Sequence, residues 1–392
     1  MKNIVVLSAA RTPIGSFLGK LSSLPAHALG AAAIRGALER AGTAPPEIEQ
    51  VVMGNVLQAG QGQAPARQAA LAAGIPDSVP CVTVHKVCGS GMRAVMDVAN
   101  AIQAGEYEMA VAGGMESMSN APYLLDRGRT GYRMGNAQLI DSMIKDGLWD
   151  PYKDVHMGNC AELCVGKYKF TREEQDAFAL ESYRRAQDAS SRCLSGQEIV
   201  SVEVPRKKGD AEKIDKDEEP FAAPLDKMPT LKPAFQKDGS VTAANSSKIN
   251  DGAAALVVST EERARQKGHA PIARILAYTG VAQAPEWFTT APVGAIRKLL
   301  EKTGLAVSDI DLWEINEAFA AVAMAAIREL SLDPARVNVR GGAVALGHPI
   351  GASGARILTT LIHALRHGGG KRGIAAICIG GGEATAMLVE TA

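Results

Sequence analysis

Apolar positions along the chain follow two alternating rhythms. Short β-branched or apolar runs read as buried strands: "EQVVMGNV" (49–56), "CVTVHKV" (81–87), "EMAVAGGM" (108–115), "INDGAAALVV" (249–258), "DIDLWEI" (309–315), "RVNVR" (336–340) and "IAAICIGGG" (374–382). Between them lie stretches with apolar residues three and four apart, such as "GSGMRAVMDVANAIQAG" (89–105), which predict helices. Strands alternating with helices imply βαβ units and a largely buried, mixed or parallel sheet.

The rhythm runs twice. "AIRGALERAGTAPPEI" (33–48) returns as "AIRKLLEKTGLAVSDI" (295–310), and "GSGMRAV" (89–95) resembles "ASGARIL" (352–358). The two echoes come in the same order, at offsets differing by one residue, which argues for duplication. Residues 1–118, completed by 249–269, are expected to form one core half, and 270–392 the other. The stretch 119–248 is richer in charge, Met, Tyr and loop residues, and reads as an insertion that covers a site on the core. Within it, "PRKKGDAEKIDKDEEP" (205–220) predicts an exposed loop or hairpin.

Composition narrows the function classes. Apolar residues make up 46% of 392, enough for a large core, and 42 Lys+Arg balance 42 Asp+Glu. Zero net charge favours neither a nucleic-acid nor a membrane surface, so an anionic ligand needs a local site. The opening "MKNIVVLSAARTPIG" is too short an apolar run for a secretory leader, and no 18-residue apolar stretch predicts a membrane span. Six cysteines are no disulfide scaffold. A soluble, reduced, cytoplasmic protein is expected.

The candidate chemistry sits where strands stop. Cys88 precedes Gly-Ser-Gly at a strand-to-helix turn. There a helix N-terminus would lower its pKa, and Gly89 and Gly91 would let a substrate approach the backbone. A nucleophile and a buried small hydrophobe are both compatible with this local sequence. His348, in "GGAVALGHPIGASGARIL" (341–358), occupies the equivalent turn of the second copy, where a base or oxyanion donor fits. Asn316 in "WEINEAFAA" and Cys378 in "ICIGGGEATAM" stand at two further strand ends, as a possible helix cap and a possible core residue taken singly. Strand ends of such folds converge on one crevice, so the four could share a pocket.

"VCGSGM", "GGMESMS", "NEAFA", "GGAVALGHPIGASGAR" and "CIGGG" resemble, in order, the signature segments of thiolases over the full chain. "HMGNCAE" (156–162), "VTAANSSKINDGAAALV" (241–257) and "EWFTTAPVGA" (286–295) are most similar to short-chain acetoacetyl-CoA members. The resemblance implies an α/β thiolase fold: duplicated βαβ halves in a layered α-β-α-β-α core with an inserted loop domain. It implies a reversible Claisen condensation of two acetyl-CoA to acetoacetyl-CoA and CoA. Cys88 would carry the acyl group, His348 would activate it and Cys378 would act as carbon base. Asn316 would hold a water in one oxyanion hole with His348, and the N–H groups of Cys88 and Gly380 would form the other. Coenzyme A would meet Ser247, His156, Met157, Leu148, Ala243 and Ala318, with Phe235 and Phe319 as apolar walls and Phe288 shaping the acyl pocket. No cofactor is implied, since the coenzyme A thioesters are substrates. A homotetramer joined through residues 123–140 is implied.

Rival readings are a broader-chain 3-ketoacyl-CoA thiolase, a ketoacyl synthase, a Cys/His thioester hydrolase and a non-catalytic acyl-CoA binder. Synthases use two histidines where Asn316 and Cys378 stand; a hydrolase needs no carbon base. Several positions depart from the family pattern. His85 precedes "KVC" and reads better as a structural histidine than a pocket residue. Lys248 could meet a coenzyme A phosphate, but reads better as a solvated lysine. Pro220 and Phe221 replace an adenine-contacting arginine and a potassium-site tyrosine, so neither that contact nor potassium is carried over. Arg340 and Glu383 could shift pH behaviour. Cys160 and Cys164 lack a metal-ligand pattern, so no metal is expected.

Overall fold

The computed structural model describes residues 2–392. Residues 4–260 supply β1 (Ile4–Arg11), β2 (Gln50–Gly54), β3 (Cys81–Val84), β4 (Met109–Ser117) and β5 (Asn250–Thr260). Residues 273–391 supply β6 (Ala273–Ala282), β7 (Leu312–Ile315), β8 (Arg372–Ile379) and β9 (Glu383–Thr391). They share one sheet in the order β7-β8-β9-β6-β1-β5-β4-β2-β3, with the short strand Gly15–Ser16 also paired to β5. Outward from the β6–β1 seam both halves begin with antiparallel pairs and end in parallel ones. The seam is narrow: Ile4, Val5 and Val6 face Ile275, Arg274 and Ala273.

One expected strand is absent. "RVNVR" contributes only a bridge from Val337 to Trp313. Asn338 follows with φ 50°, a left-handed turn that ends extension. Its amide takes over the ladder, accepting from Ile315 N at 2.8 Å and donating to Ile315 O at 2.9 Å. The alternating apolar pattern was real, but an asparagine side chain made the bonds that a strand backbone would make.

The helices that build the core and the site include α1 (Ala26–Ala41), α2 (Pro65–Ala72), α3 (Ser90–Ala104), α4 (Met157–Tyr168), α5 (Arg172–Ser191), α6 (Ala291–Thr303), α7 (Ala320–Leu330), the single-turn α8 (Ala343–Leu346) and α9 (Ser353–Gly368). The first echo is α1 and α6, and its recurring glycine closes both. Gly42 (φ 62°) and Gly304 (φ 68°) are left-handed C-caps bonded back into the last turn.

Three apolar clusters define five layers. Leu29 and Ile34 of α1 pack with Val51 and Val257 on one outer face. Ile296 and Leu299 of α6 pack with Trp313 and Leu388 on the other. Between them α3 and α9 lie in a shared layer, where Val95 and Leu358 meet Leu256 of one half-sheet and Ile377 of the other. This is the α-β-α-β-α order, with the two half-sheets joined at the seam.

Residues 119–248 add no strand to this sheet among the described residues. Part of the charged stretch forms a hairpin, Val202–Val204 against Glu212–Ile214. Buried charge fixes the segment to the core. Arg11 of β1 donates to both carboxylate oxygens of Asp217, at 2.7 and 2.9 Å, and to Glu198 at 2.9 Å. Removing one partner of such a buried set strands a charge, at a cost of roughly 3–5 kcal/mol.

The central helices touch at glycines. A Cβ on Gly91 would lie 2.8 Å from Ala355 N, and one on Gly354 would lie 2.4 Å from Met92 N. Gly91 therefore serves helix packing rather than the substrate approach expected from sequence. Gly89 likewise faces protein, 2.4 Å from Ile379 Cδ1 by the same construction. Gly91→Ala is expected to lower stability by roughly 1–3 kcal/mol through overpacking, measured by urea denaturation; an unchanged midpoint would show that the helices can separate freely.

Candidate active site

The turns that lead into α3 and α9 are built alike, although the second follows α8 and not a strand. In the first, Ser90 Oγ donates to Val87 O at 2.6 Å and accepts from Lys86 N at 2.8 Å. These bonds hold Val87 at φ 44°, a strained conformation for a β-branched residue, and Cys88 follows directly. His85 is exposed and accepts from Val87 N through Nδ1 at 3.3 Å, so it braces this turn and does not enter the pocket.

In the second turn, Ser353 Oγ donates to Pro349 O at 2.9 Å and lies 2.6 Å from His348 Nδ1. The hydroxyl has one proton, and it goes to the carbonyl. Nδ1–H of His348 then donates to Ser353, which leaves Nε2 as a bare lone pair. Nε2 is buried and has no protein partner. The backbone is fixed as well: His348 N donates to Asn250 Oδ1 at 2.9 Å, and Gly347 (φ 108°) lets Asn250 approach so closely.

A cavity of about 310 Å³ lies between these turns. The core contributes Cys88, His348 and Gly380 to its wall. Residues 119–248 contribute Leu148, His156, Met157, Phe235, Ala243 and Ser247. Ala318, Phe319 and Phe288 complete the expected lining. His156 stacks on Phe235 at 4.8 Å, and Phe319 meets Phe235 and Phe288 edge-on at 5.9 and 6.3 Å. Nδ1 of His156 also accepts from Gly158 N at 3.1 Å, capping α4. The cavity is thus a chiefly apolar slot closed by aromatic rings.

Asn316 and Cys378 stand behind the wall, fully buried, and are not part of its lining. Asn316 is not a helix cap, since α7 is capped at Phe319. Both atoms of its side-chain amide lack a protein partner, so two donors and an acceptor remain for another group. Cys378 is within electrostatic reach of Cys88, and the backbone N–H groups of Ala318 and Cys378 itself point at its sulfur.

Burial decides the resting charges. It pushes the Cys88 thiol up to about 11, against the opposing N–H groups of Gly380 and Cys88 itself. The lowered pKa expected at a helix N-terminus is therefore overturned: desolvation outweighs the amides, and the resting group is a thiol. Burial, with Arg356 nearby, holds His348 down at about 3, so the imidazole is neutral. Burial also raises Cys378 well above the ordinary thiol range.

Comparison with known proteins agrees with this layout. The thiolase N-terminal domain family model matches residues 4–262, and the thiolase C-terminal domain model matches 269–391. The chain belongs to the thiolase family. It is 54% identical over 391 residues to acetyl-CoA acetyltransferase B, mitochondrial, of Xenopus laevis, covering 100% of this chain and 92% of that one. It is 50% identical to acetyl-CoA acetyltransferase of Cupriavidus necator, covering 100% of both. Among solved structures, the Acat5 thiolase of Ascaris suum in complex with coenzyme A superposes with TM-score 0.95 at 48% identity, covering 100% of each chain. The acetyl-CoA acetyltransferase of Bacillus anthracis gives 0.97 at 43%, covering 100% of this chain and 99% of that one.

Several residues of this thiolase's site were not singled out from sequence. Glu116, in "GGMESMS", is fully buried and accepts from Val56 N, Leu57 N, Gly351 N and Asn55 Nδ2. It ties the loop after β2 to the loop after His348; burial raises it to about 7. A carboxylate ending an apolar strand was the available signal. Asn250, at the start of β5, offered none. The two departures expected to affect pH lie off the cavity. Arg340 donates to the carbonyls of Leu194 and His363 and pairs with Glu198, and Glu383 pairs with Lys86. Lys248 is no solvated lysine: it lines the cavity with its ammonium held by backbone carbonyls.

These charges predict the reactivity of Cys88. Below a pKa of about 11 each pH unit changes the thiolate fraction tenfold, whereas an ordinary cysteine levels off near its pKa of about 8.5. Iodoacetamide labelling of Cys88, followed by peptide mass spectrometry, should still climb about tenfold per unit between pH 8 and 9.5. A plateau in that range would show a thiolate stabilised in the resting site.

Proposed function

We propose that this thiolase is an acetyl-CoA C-acetyltransferase, forming acetoacetyl-CoA from two acetyl-CoA and cleaving it in reverse. The carrying observation is one small apolar cavity in which Cys88, a bare His348 Nε2 and the Gly380 N–H converge, with Cys378 directly behind. We assign 1–118 with 249–269 and 270–392 as the core halves, and 119–248 as the unit that holds coenzyme A.

The neutral resting state sets the order of proton transfers. Cys88 attacks the thioester carbonyl of the first acetyl-CoA while its proton moves to His348 Nε2. The oxyanion is met by backbone N–H groups at Cys88 and Gly380. As the tetrahedral adduct collapses, the C–S bond to coenzyme A breaks and the leaving thiolate takes the proton of Cys378. The products of this half are acetyl-Cys88, free CoA, an imidazolium and a Cys378 thiolate.

That thiolate is now the carbon base. It takes a methyl proton from the second acetyl-CoA, whose enolate oxygen is stabilised by His348 and a water held by Asn316. The carbanion attacks acetyl-Cys88, the Cys88 sulfur leaves, and it recovers its proton from His348. Every proton is returned, so the cycle closes without a cofactor. The Phe288–Phe319 contact at the acyl end supports a short chain.

A homotetramer joined through 123–140 and a cytoplasmic location belong to the same reading. Tyr123–Leu124 pairs with Ile140–Asp141, and the loop between them exposes Met134 and Leu139, with Tyr123 exposed at its base. Six free cysteines fit a reducing compartment. No helix among the described residues is long and apolar enough to cross a membrane. Cell fractionation would decide between the cytoplasm and the organelle named for several relatives.

Acetoacetyl-CoA thiolysis by wild type should fall by about a thousandfold or more in Cys88→Ser, His348→Ala and Cys378→Ala. Cys378→Ala should still form acetyl-Cys88 from acetyl-CoA, visible by intact-protein mass spectrometry, because coenzyme A can leave as a thiolate and take its proton from solvent, whereas the second half-reaction has no carbon base. Undiminished consumption of acetoacetyl-CoA by Cys378→Ala, with acetoacetate and not acetyl-CoA as product, would instead mark a thioester hydrolase. Replacing residues 126–139 by a short Gly-Ser linker should lower the mass by light scattering to that of a dimer; an unchanged tetramer would place the interface elsewhere.

A further inference from the structure

The side chain of Lys248 turns inward. Nζ donates to the carbonyl oxygens of Ala243 at 2.6 Å and Ser246 at 3.0 Å, with that of Val344 at 3.5 Å. The Tyr183 ring centroid is 5.7 Å away. No carboxylate pairs with the ammonium among the described residues; Glu219 acts on it only at longer range. Carbonyl oxygens around one positive centre, with an aromatic face beside them, form the surroundings that a dehydrated monovalent cation takes in proteins. Here the cation is covalently part of the chain.

We propose that Lys248 is a built-in monovalent cation: its ammonium fills a carbonyl cage that fastens the 243–248 loop to α8, making it a positioning residue for the coenzyme A thioester and freeing the enzyme from any need for potassium or sodium ions. Both sides of the cage carry the site. Ala243, Ser246 and Ser247 line the cavity, and Ser247 N bonds Ala318 O at 3.0 Å beside Phe319. Val344 lies on the single turn of α8 that leads through Gly347 to His348. Without a positive centre, three carbonyl dipoles would face one another and the loop would move away from α8. Burial lowers Lys248 to about 8, with Glu219 opposing, so it stays an ammonium at neutral pH. The substrate in this inference rests on the function proposed above; the cage does not.

The test compares wild type, Lys248→Ala and Lys248→Met in tetramethylammonium chloride and in potassium or sodium chloride at equal ionic strength. Wild-type thiolysis should agree within about twofold in all salts. Lys248→Ala leaves room for a free ion. In tetramethylammonium its KM for coenzyme A should rise about tenfold or more, with kcat less affected, and potassium or sodium should restore it. Lys248→Met fills the channel with an apolar stem and should not be restored. The melting temperature of Lys248→Ala, but not of wild type, should rise with the same ions, a readout that stands even if the acetyl-transfer reading fails. The proposal is overturned by strong potassium or sodium activation of wild type, by a wild-type KM for Lys248→Ala in tetramethylammonium, or by a Lys248→Ala whose KM and melting temperature ignore both ions.

Discussion

The structure depends on the close approach of α3 and α9. Two helices can come this near only where side chains are missing, and Gly91 and Gly354 supply the gaps. Each helix begins in a serine-braced turn, so the contact sets those turns side by side. Cys88 lies just before one helix and His348 just before the other. Neither half has a site of its own. Cys88, the proposed nucleophile, comes from residues 1–118, and His348, the proposed base, comes from 270–392. The β6–β1 seam, three residue pairs wide, does little to set this geometry; the shared central layer does most of it.

That central layer is also why Cys88, His348 and Cys378 are uncharged at rest. Desolvation raises both thiols and lowers the imidazole, and few local dipoles oppose it. A permanent thiolate–imidazolium pair would have to bear the full cost of burial before substrate arrived. In the proposed reaction a neutral pair postpones that cost until the thioester carbonyl is present, when N–H groups already in place would meet the new negative charge. Glu116 extends the same economy, held by three backbone N–H groups while burial keeps its pKa near neutrality.

Much of this was legible in sequence because one pattern occurs twice along the chain. The glycine shared by α1 and α6 is a left-handed cap in both, and the paired serines are the residues that brace the catalytic turns. The misreadings share a cause. Gly89 and Gly91 looked like open backbone, and the helix N-terminus looked able to lower the Cys88 pKa, because a local pattern does not show what packs against it. Ile379 and Ala355 are remote in sequence and fill that space. Asn338 broke a predicted strand by the same kind of long-range bond, and Lys248 was read as a surface charge because its carbonyl partners fold back onto it.

The wall supplied by residues 119–248 shows how such a segment can be held firmly without adding to the sheet. Its anchors are polar and buried. Arg11 reaches Asp217 and Glu198, and Ser182 donates to Glu317, while within the segment Glu162 receives the N–H groups of Ser240 and Val241. Asn245 bonds Asp176 on α5. Apolar packing alone would tolerate sliding, since dispersion contacts have little directional preference, whereas each of these bonds has one geometry and a high cost if broken. The cavity therefore joins two differently built parts. In the proposed reaction, chemistry would be set by dry packing in the core, and substrate placement by directional bonds in residues 119–248. Lys248 stands where the two meet, bonded to the loop on one side and to α8 on the other, so a change in its charge should alter how the substrate is placed before it alters the bond-making steps themselves.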